Sequence, residues 1–422
     1  MTKVYESGDV KIIGITIGKL NGPQREVDLR AQVLSLSIYE DINEPSMILE
    51  IVMADAINLV QDYPIIGEEI ITVNFVTPGR DNSTKKGFLV YSVDSTGVGP
   101  SGRGSIYTIK AVTSFHFFSA GMSIEKSYND TVDEIVKDIV KIVAKESNLP
   151  FSNLIVEKTK GLVPITIPSL NPFQAIDMLR QKAISAEVPS GGMFMFFENQ
   201  YGMQFKSIEA ILKENKNDVS SKSFTYAPDT KSDKSREQYA FRNIIRYQHL
   251  DKFNSVEKII EGAVVNTVES FDILSKELET ITFKLAEKAS TFTSTDSKAS
   301  LPNSNQFIDT HTKSAAKNFF VPKDSSRGTD FIENHLGAKQ AYSTLINQNT
   351  VRILVNGDNY IATGDVIELV LPEVSGTTER KTKDRLNSGN YLITRLRHII
   401  TMEDGNKPKH QIAMDCSRLG YK

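Results

Sequence analysis

Hydrophobic and polar residues alternate through much of the first 120 positions. Ile71, Val73 and Phe75 are separated by Thr72 and Asn74, and Tyr107, Ile109 and Ala111 by Thr108 and Lys110. A period of two sends one set of side chains to a core and the other to solvent, so these runs predict half-buried β-strands. Turn-rich stretches divide them. Residues 77–87 contain Pro78, Gly79, Asp81 and Asn82, and residues 97–104 hold four glycines and a proline.

Near residue 128 the period changes. Val132, Ile135, Val136, Ile139 and Val143 recur at helical spacing, with Asp130, Asp133 and Glu134 at the start and Lys141 and Lys145 at the end. Asn129, Asp130 and Thr131 are all competent caps. A second helix is predicted from Asn171-Pro172, with the apolar stripe Phe173, Ile176, Leu179 and Ala183. Two short strands, 193–197 and 203–206, follow around a turn at 199–202. Residues 213–238 are rich in Lys, Ser, Asp and Asn and read as linker or long loop. Strand character returns at 241–247. A second polar stretch covers 290–328, and 331–348 reads as a helix weakened by Gly337.

The last 60 residues echo the first domain. Gly67 precedes Glu68-Glu69-Ile70-Ile71-Thr72-Val73, and Gly364 precedes Asp365-Val366-Ile367-Glu368-Leu369-Val370. Each run is followed by a polar loop and a glycine, Gly87 or Gly389, that opens another strand. Third strands follow at 106–112 and 411–416. Upstream, Tyr39-Glu40-Asp41-Ile42 and the run to Ala54 resemble Tyr247-Gln248-His249-Leu250 and the run to Ala263. The two buried faces fall one residue out of phase, which calls for a bulge or a shifted gap. Two copies of one β-domain are expected, the second split by an insertion at 291–345. Three such chains in a cyclic ring would present six quasi-equivalent lobes, a way to join a three-fold object to a six-fold one.

Composition narrows the function classes. Among 422 residues, 49 Lys and Arg face 52 Asp and Glu, a net charge of −3 that argues against a basic nucleic-acid-coating protein. The single cysteine, Cys416, rules out an intramolecular disulfide and a cysteine-rich zinc module, and its alternation with Ile412 and Met414 marks it as buried. No run approaches a transmembrane helix, and Glu6, Asp9 and Lys11 interrupt the first apolar stretch, so stable membrane insertion and a signal peptide are not expected. The chain reads as soluble and made in a cytoplasm.

No constellation for chemistry emerges. Gly97-Val98-Gly99-Pro100-Ser101-Gly102 fits a dinucleotide-binding pattern, but Pro100 lies inside it and a strand follows where a helix is required, so a hairpin loop is expected. None of the six histidines stands at metal-ligand spacing from another His or Cys. His398 shares a strand face with Leu392, Leu396 and Ile400 and reads as a core-edge histidine. Asp133, Glu134 and Asp138 are assigned to the solvated face of their helix. No cofactor, metal or catalytic residue is expected. The hairpin-loop cations Arg80, Lys85, Lys86 and Arg103, with Arg380, Lys381, Lys383 and Arg385 in the counterpart, fit loop solubility or contacts with neighbouring subunits and rings.

On these residues the chain resembles the baseplate hub family of contractile-tailed phages, the T-even-type tail hub and late-control-type tail proteins. The carrying segment is Val351-Arg-Ile-Leu-Val355, the Asn356-Gly357 turn, Gly364-Asp365-Val366-Ile367-Glu368-Leu369 through Pro372, and Gly389-Asn-Tyr-Leu-Ile-Thr-Arg-Leu-Arg-His398. The resemblance implies a mainly β, α+β architecture of two similar tube-like antiparallel β-barrels with a small α+β domain between them. The expected division is a first barrel at 1–120, the α+β domain at 121–212, linker and first part of the second barrel at 213–290, a polar insertion with a helix at 291–348, and the rest of the second barrel at 349–422. It further implies a homotrimeric ring in the virion tail baseplate, with a central spike protein, tail-tube or tube-initiator proteins and baseplate wedge proteins as partners and DNA only as passing cargo. Two alternatives stand beside it: the hub of a headless contractile injection particle, and a tail-associated cell-wall hydrolase.

Overall fold

The computed structural model describes residues 7–20, 26–55, 63–80, 82–98, 105–147, 153–188, 191–215, 222–226, 242–251, 254–288, 292–296, 298–299, 312–323, 332–373, 383–384, 386–403 and 407–421. The architecture is α+β and mainly β. The first lobe contains β1 (Lys11–Lys19), β2 (Val27–Asp28), β3 (Val33–Asp41), β4 (Ile48–Asp55), β5 (Glu69–Val76), β6 (Thr84–Val98) and β7 (Ser105–Val112). They run in the order β2-β1-β5-β6-β7-β4-β3, each pair antiparallel. The alternation read from the sequence is the one that folds: Ile71, Val73 and Phe75 are buried, as are Tyr107, Ile109 and Ala111. Gly67 turns the chain into β5 at φ +97°, and Gly364 does the same ahead of the corresponding strand of the second lobe at +93°, a conformation that favours glycine.

The middle unit contains α1 (Ser114–Ser119), β8 (Ile124–Asp130), α2 (Val132–Ser147), β9 (Leu154–Val156), β10 (Val163–Leu170), α3 (Pro172–Arg180), β11 (Phe194–Asn199), β12 (Gly202–Ser207) and α4 (Ile208–Asn215). The α2 stripe packs into one core with Ile176 and Leu179 of α3 and with Phe194, Phe196, Met203 and Phe205 of the β11–β12 hairpin. Asn171 and Gln174 close a reciprocal capping box at the start of α3. That helix ends at Arg180, so Ala183 is buried beyond it. Asp133 departs from its expected solvated face. Its side chain is buried and accepts from Thr159 Oγ1 at 2.7 Å and from the Thr159 N–H at 3.2 Å, tying α2 to the segment after β9.

The second lobe begins with β13 (Ser223–Tyr226) and β14 (Asn243–Asp251). The chain then leaves it for α5 (Ser255–Ile260), β15 (Val265–Asp272), β16 (Leu278–Lys284), α6 (Leu285–Lys288), β17 (Lys298–Ala299), β18 (Lys317–Lys323) and α7 (Glu333–Leu345). It returns with β19 (Thr350–Asn356), β20 (Val366–Val370), β21 (Gly389–Glu403), β22 (Lys407–Ser417) and β23 (Gly420–Tyr421). β13, β14, β19, β22, β21 and β20 pair around a closed ring, because β21 bonds both β20 and β22. Val351, Ile353, Leu369, Tyr391, Ile393, Ile412 and Cys416 fill it.

Three expectations change. β13 lies inside the stretch read as linker; its polar flanks hid a four-residue strand whose Phe224 is buried. It runs parallel to both β14 and β20, unlike the all-antiparallel expectation; a parallel pair takes a crossover connection where an antiparallel one takes a short hairpin. The excursion from the second lobe starts after β14 and not at 291. β15 and β16 form a separate sheet with β18, so residues 255–263 are not the counterpart of β4. That position in the sheet is held by β19. α7 forms where expected, and its Gly337 is needed for a close approach: an added Cβ would stand 2.5 Å from Phe283 Cβ.

β3 pairs antiparallel with β21 from Asp41↔Arg395 to Ser35↔Thr401, joining both lobes in one 13-stranded sheet.

Candidate assembly interface and lobe junction

Four of the eight candidate loop cations fall among the described residues: Arg80, Lys85, Lys86 and Lys383. Arg103, Arg380, Lys381 and Arg385 lie outside them. Three of the four are engaged within the chain. Arg80 Nη2 lies 2.5 Å from Asp358 Oδ2, and its guanidinium sits 4.6 Å from the Tyr360 ring centroid. Lys86 donates to the Asn199 carbonyl at 3.2 Å and lies 3.7 Å from Glu198. Lys85 is exposed. Lys383 is exposed too and lies 3.3 Å from Glu368.

Arg80 and Lys86 border a polar junction where first lobe, middle unit and second lobe meet. At its centre is Glu40, 1% exposed on β3. One carboxylate oxygen accepts from the Gln200 N–H at 3.0 Å and the other from the Thr363 N–H at 2.9 Å. Around it, Asn199 Nδ2 donates to Thr363 O at 2.9 Å, Gln200 Nε2 to Ile361 O at 3.1 Å, and the Tyr201 hydroxyl to Tyr360 O at 3.0 Å. Asn359 adds the link back to the first lobe, its N–H donating to Thr77 Oγ1 at 3.0 Å and its side chain to Asn82 O at 2.7 Å. Burial pushes the Glu40 carboxyl up to about 7, against the pull of these N–H groups and the Lys86 charge. The tip of the β11–β12 hairpin is thus a peg, bonded on one side to β3 and on the other to the loop before β20. Sequence reasoning placed that turn correctly but gave it no role, since its partners lie 113 to 164 positions away in the chain.

The two lobes also share a buried histidine pair. His398 is buried with Leu392, Leu396 and Ile400, as its strand face implied. Its Nδ1 lies 3.0 Å from His410 Nε2, and Phe75 of the first lobe meets both rings edge-on, with centroids 5.9 and 5.4 Å away. Burial lowers the His398 pKa to about 4 and that of His410 well below its ordinary value. The pairing was illegible at the sequence level because the two residues meet diagonally across β21 and β22. Cys416 is buried and its thiol is pushed up by burial. Among the described residues no group of three or more His, Cys, Asp or Glu could hold a metal ion, and no helix is long and apolar enough to cross a membrane.

Along the β3–β21 seam, Arg395 Nε donates to Asp41 at 2.7 Å, and Arg397 donates to Ser37 Oγ while lying 5.0 Å over the Tyr39 ring. Tyr39 in turn donates to Glu50 at 2.9 Å. The seam surface thus carries one ion pair, Arg395–Asp41, beside a guanidinium held by a serine hydroxyl and a tyrosine ring.

No protein-family model matches this sequence, and no curated protein matches it by sequence. Solved structures do match the fold. A tail protein from Neisseria meningitidis MC58 is similar with a TM-score of 0.52 at 9% identity, over 96% of both chains. The 43 kDa tail protein of prophage MuSo2 from Shewanella oneidensis is similar with a TM-score of 0.51 at 12% identity, over 96% of this chain and 98% of that one. The fold is that of phage tail proteins. Both matches run nearly end to end, so the likeness covers the fold as a whole and not one part of it.

Proposed function

We propose that the protein is a structural baseplate hub of a contractile phage tail, a homotrimeric ring joining the six-fold tail tube to the three-fold central spike. The observation that carries this is the repeated lobe. Five strands recur in one order in both lobes, and the β3–β21 seam fuses the two copies into one sheet. Three copies of such a chain closed by rotation give six similar lobes around an axis, and a surface that meets six-fold and three-fold partners alike. The tail-protein fold supports the same reading.

The ring would leave a central passage for DNA, and the near balance of charge over the chain, net −3, fits a wall that does not hold a polyanion. Lys85 and Lys383 are the described candidates for contacts with tube, spike or wedge proteins, while Arg80 and Lys86 serve the internal junction. The test is native mass by light scattering, alone and with a candidate central spike protein. A species near 141 kDa, three times 47.0 kDa, that takes up spike is expected. A chain that stays monomeric with spike and tube proteins present would overturn the reading.

A further inference from the structure

The excursion from the second lobe has two ends, and they differ in chemistry. β15 runs between them for 8 residues, so they stand roughly 25 Å apart at about 3.3 Å per residue. At the far end the β15–β16 turn is fixed by Asp272. Its carboxylate accepts from the Leu274 N–H at 2.9 Å, and its carbonyl from the Lys276 N–H at 2.8 Å. This turn holds apolar side chains where turns are ordinarily polar: Ile273, Leu274, Leu278 and Phe320 are each 59–67% exposed. Cross-strand register puts Leu278 beside Phe271, and Phe271 beside Pro322 of β18, so the patch continues onto one face of the sheet. Lys276 stands at the apex, exposed, with a left-handed φ of +58° that is uncommon for a residue with a side chain. Glu277 precedes Leu278, and strand alternation sends it to the other face.

The near end is a cavity of about 270 Å³ between α5, the end of β14 and α7. Asp251, Glu257 and Glu261 meet the amides and hydroxyl of Gln340, Ser343 and Asn347 there, and among the described residues no Lys or Arg lines it. Glu261 is answered by Lys317 at 2.8 Å, while Asp251 and Glu257 have no cation bonded to them among the described residues. The rim is apolar. Val256 and Ile260 lie one position before Glu257 and Glu261 on the same helix, 66% and 58% exposed. Exposed apolar side chains beside an acid-lined cavity make a contact surface for a group that is both cationic and apolar.

We propose that the two ends meet between copies. The β15–β16 turn of one chain docks on the α5–α7 cavity of the next, with Lys276 between Asp251 and Glu257 and with Ile273 and Leu274 against Val256 and Ile260. The occupant is a second copy of this chain because each copy carries both halves, opposite in charge and alike in their apolar share. The halves stand at opposite ends of one hairpin, so they do not meet within a chain. The contact joins unlike surfaces, and such a contact closes as a ring where the rotation allows. In the first lobe β3 and β4 are joined by residues 42–47 alone, so the excursion has no counterpart there. A three-copy ring would hold three of these contacts beside its six lobes. The inference rests on the hub reading and names the surfaces that join its copies.

The test is a charge swap read by native mass across a dilution series. Lys276→Glu or Glu257→Lys alone should raise the concentration for half-assembly by about tenfold or more. Each should leave the circular dichroism spectrum unchanged, since both side chains are exposed. Lys276→Glu together with Glu257→Lys in one chain should restore much of the assembly, a rescue that a merely structural role of either residue would not give. Single variants Lys276→Cys and Ser343→Cys, mixed and treated with a short bismaleimide, should give a cross-linked dimer, and Lys126→Cys in place of Lys276→Cys should give none; Cys416 is buried. A three-copy species that ignores both reversals and fails to cross-link would overturn this contact and leave the hub reading standing. Weakening by both single variants with no recovery in the double would do the same. Absence of self-association at every concentration, with spike present, would overturn both.

Discussion

The two β-lobes share a strand order and differ in how the sixth position is filled. In the first, β1 is nine residues long and antiparallel to β5, and β3 keeps an edge for β21. In the second, the four-residue β13 bridges β14 and β20 in parallel and closes the ring. A short parallel closer completes the core around Phe224 and bonds β14 at Asn243 and Ile244. One domain design therefore yields a closed barrel and an open one, and the open lobe is the one that β21 grips. The difference teaches that one strand order can either close on itself or lend an edge strand to the neighbouring lobe.

The lobes also bury charge differently. The second holds a complete ion pair, Arg418–Asp296, with 0% and 1% of the two side chains exposed and Arg418 Nε 2.9 Å from Asp296 Oδ2. The first holds, on β3, a buried carboxylate, Glu40, met by backbone N–H groups in place of a bonded cation. The largest test of this contrast is Arg418→Met. It strands a buried Asp296, and the loss should be about 3–5 kcal/mol in chemical denaturation; Asp296→Asn with Arg418→Met should recover part of it. A loss no greater than that of a surface variant would show that the pair does not hold the C-terminal end in place.

Glu40→Ala comes next. It leaves two buried N–H groups without acceptors, at about 2–3 kcal/mol, and it loosens all three units at once. Calorimetry should resolve one cooperative transition into two. A single, equally sharp transition would mean that the hairpin peg does not couple the lobes.

The third test separates the lobes by pH. Glu40 and Glu209 are both raised by burial to about 7, so the folded state binds protons that the unfolded chain has released. Their contribution is full below about 4.5 and falls as pH rises through 7. His398 and His410 act in the opposite sense: their lowered values cost stability as pH drops below about 6.5 toward 4. Glu40→Gln should match the wild type at pH 5 and gain on it by pH 8, in melting curves taken across the range. Parallel curves would contradict the assignment of a buried, protonated Glu40.

Smaller effects should come from the seam surface. Arg397→Ala removes the contact with Tyr39 and two bonds to Ser37, and should cost about 0.5–1 kcal/mol. Lys85→Ala should leave the melting temperature unchanged. Equal losses from the two would erase the distinction between the seam and a plain loop.

How much of this was legible in the sequence follows from the range of the forces involved. Period-two alternation placed β5 and β7, and period 3.6 placed α2, because both report local burial. The Asn171-Pro172 cap was readable for the same reason. The repeat was visible through Gly67 and Gly364, whose backbone geometry demands glycine. What stayed hidden depends on partners distant in the chain. β13 is a strand only because β14 and β20 flank it, and β15 left the barrel for β16 and β18. Arg80 and Lys86 looked like free loop cations until Asp358 and Glu198 were brought beside them. Glu40 sits in an alternating run that gave no sign of a buried acid at the meeting point of three units.

The most direct test of the central claim, that two lobes of one chain act as near-equivalents around an axis, is the rotational symmetry of end-on particle images. The account predicts six similar lobes around a hole at low resolution, resolving into a three-fold alternation of closed and open lobes as detail improves. Two-fold particles, or three lobes with the second set folded away from the ring, would contradict it.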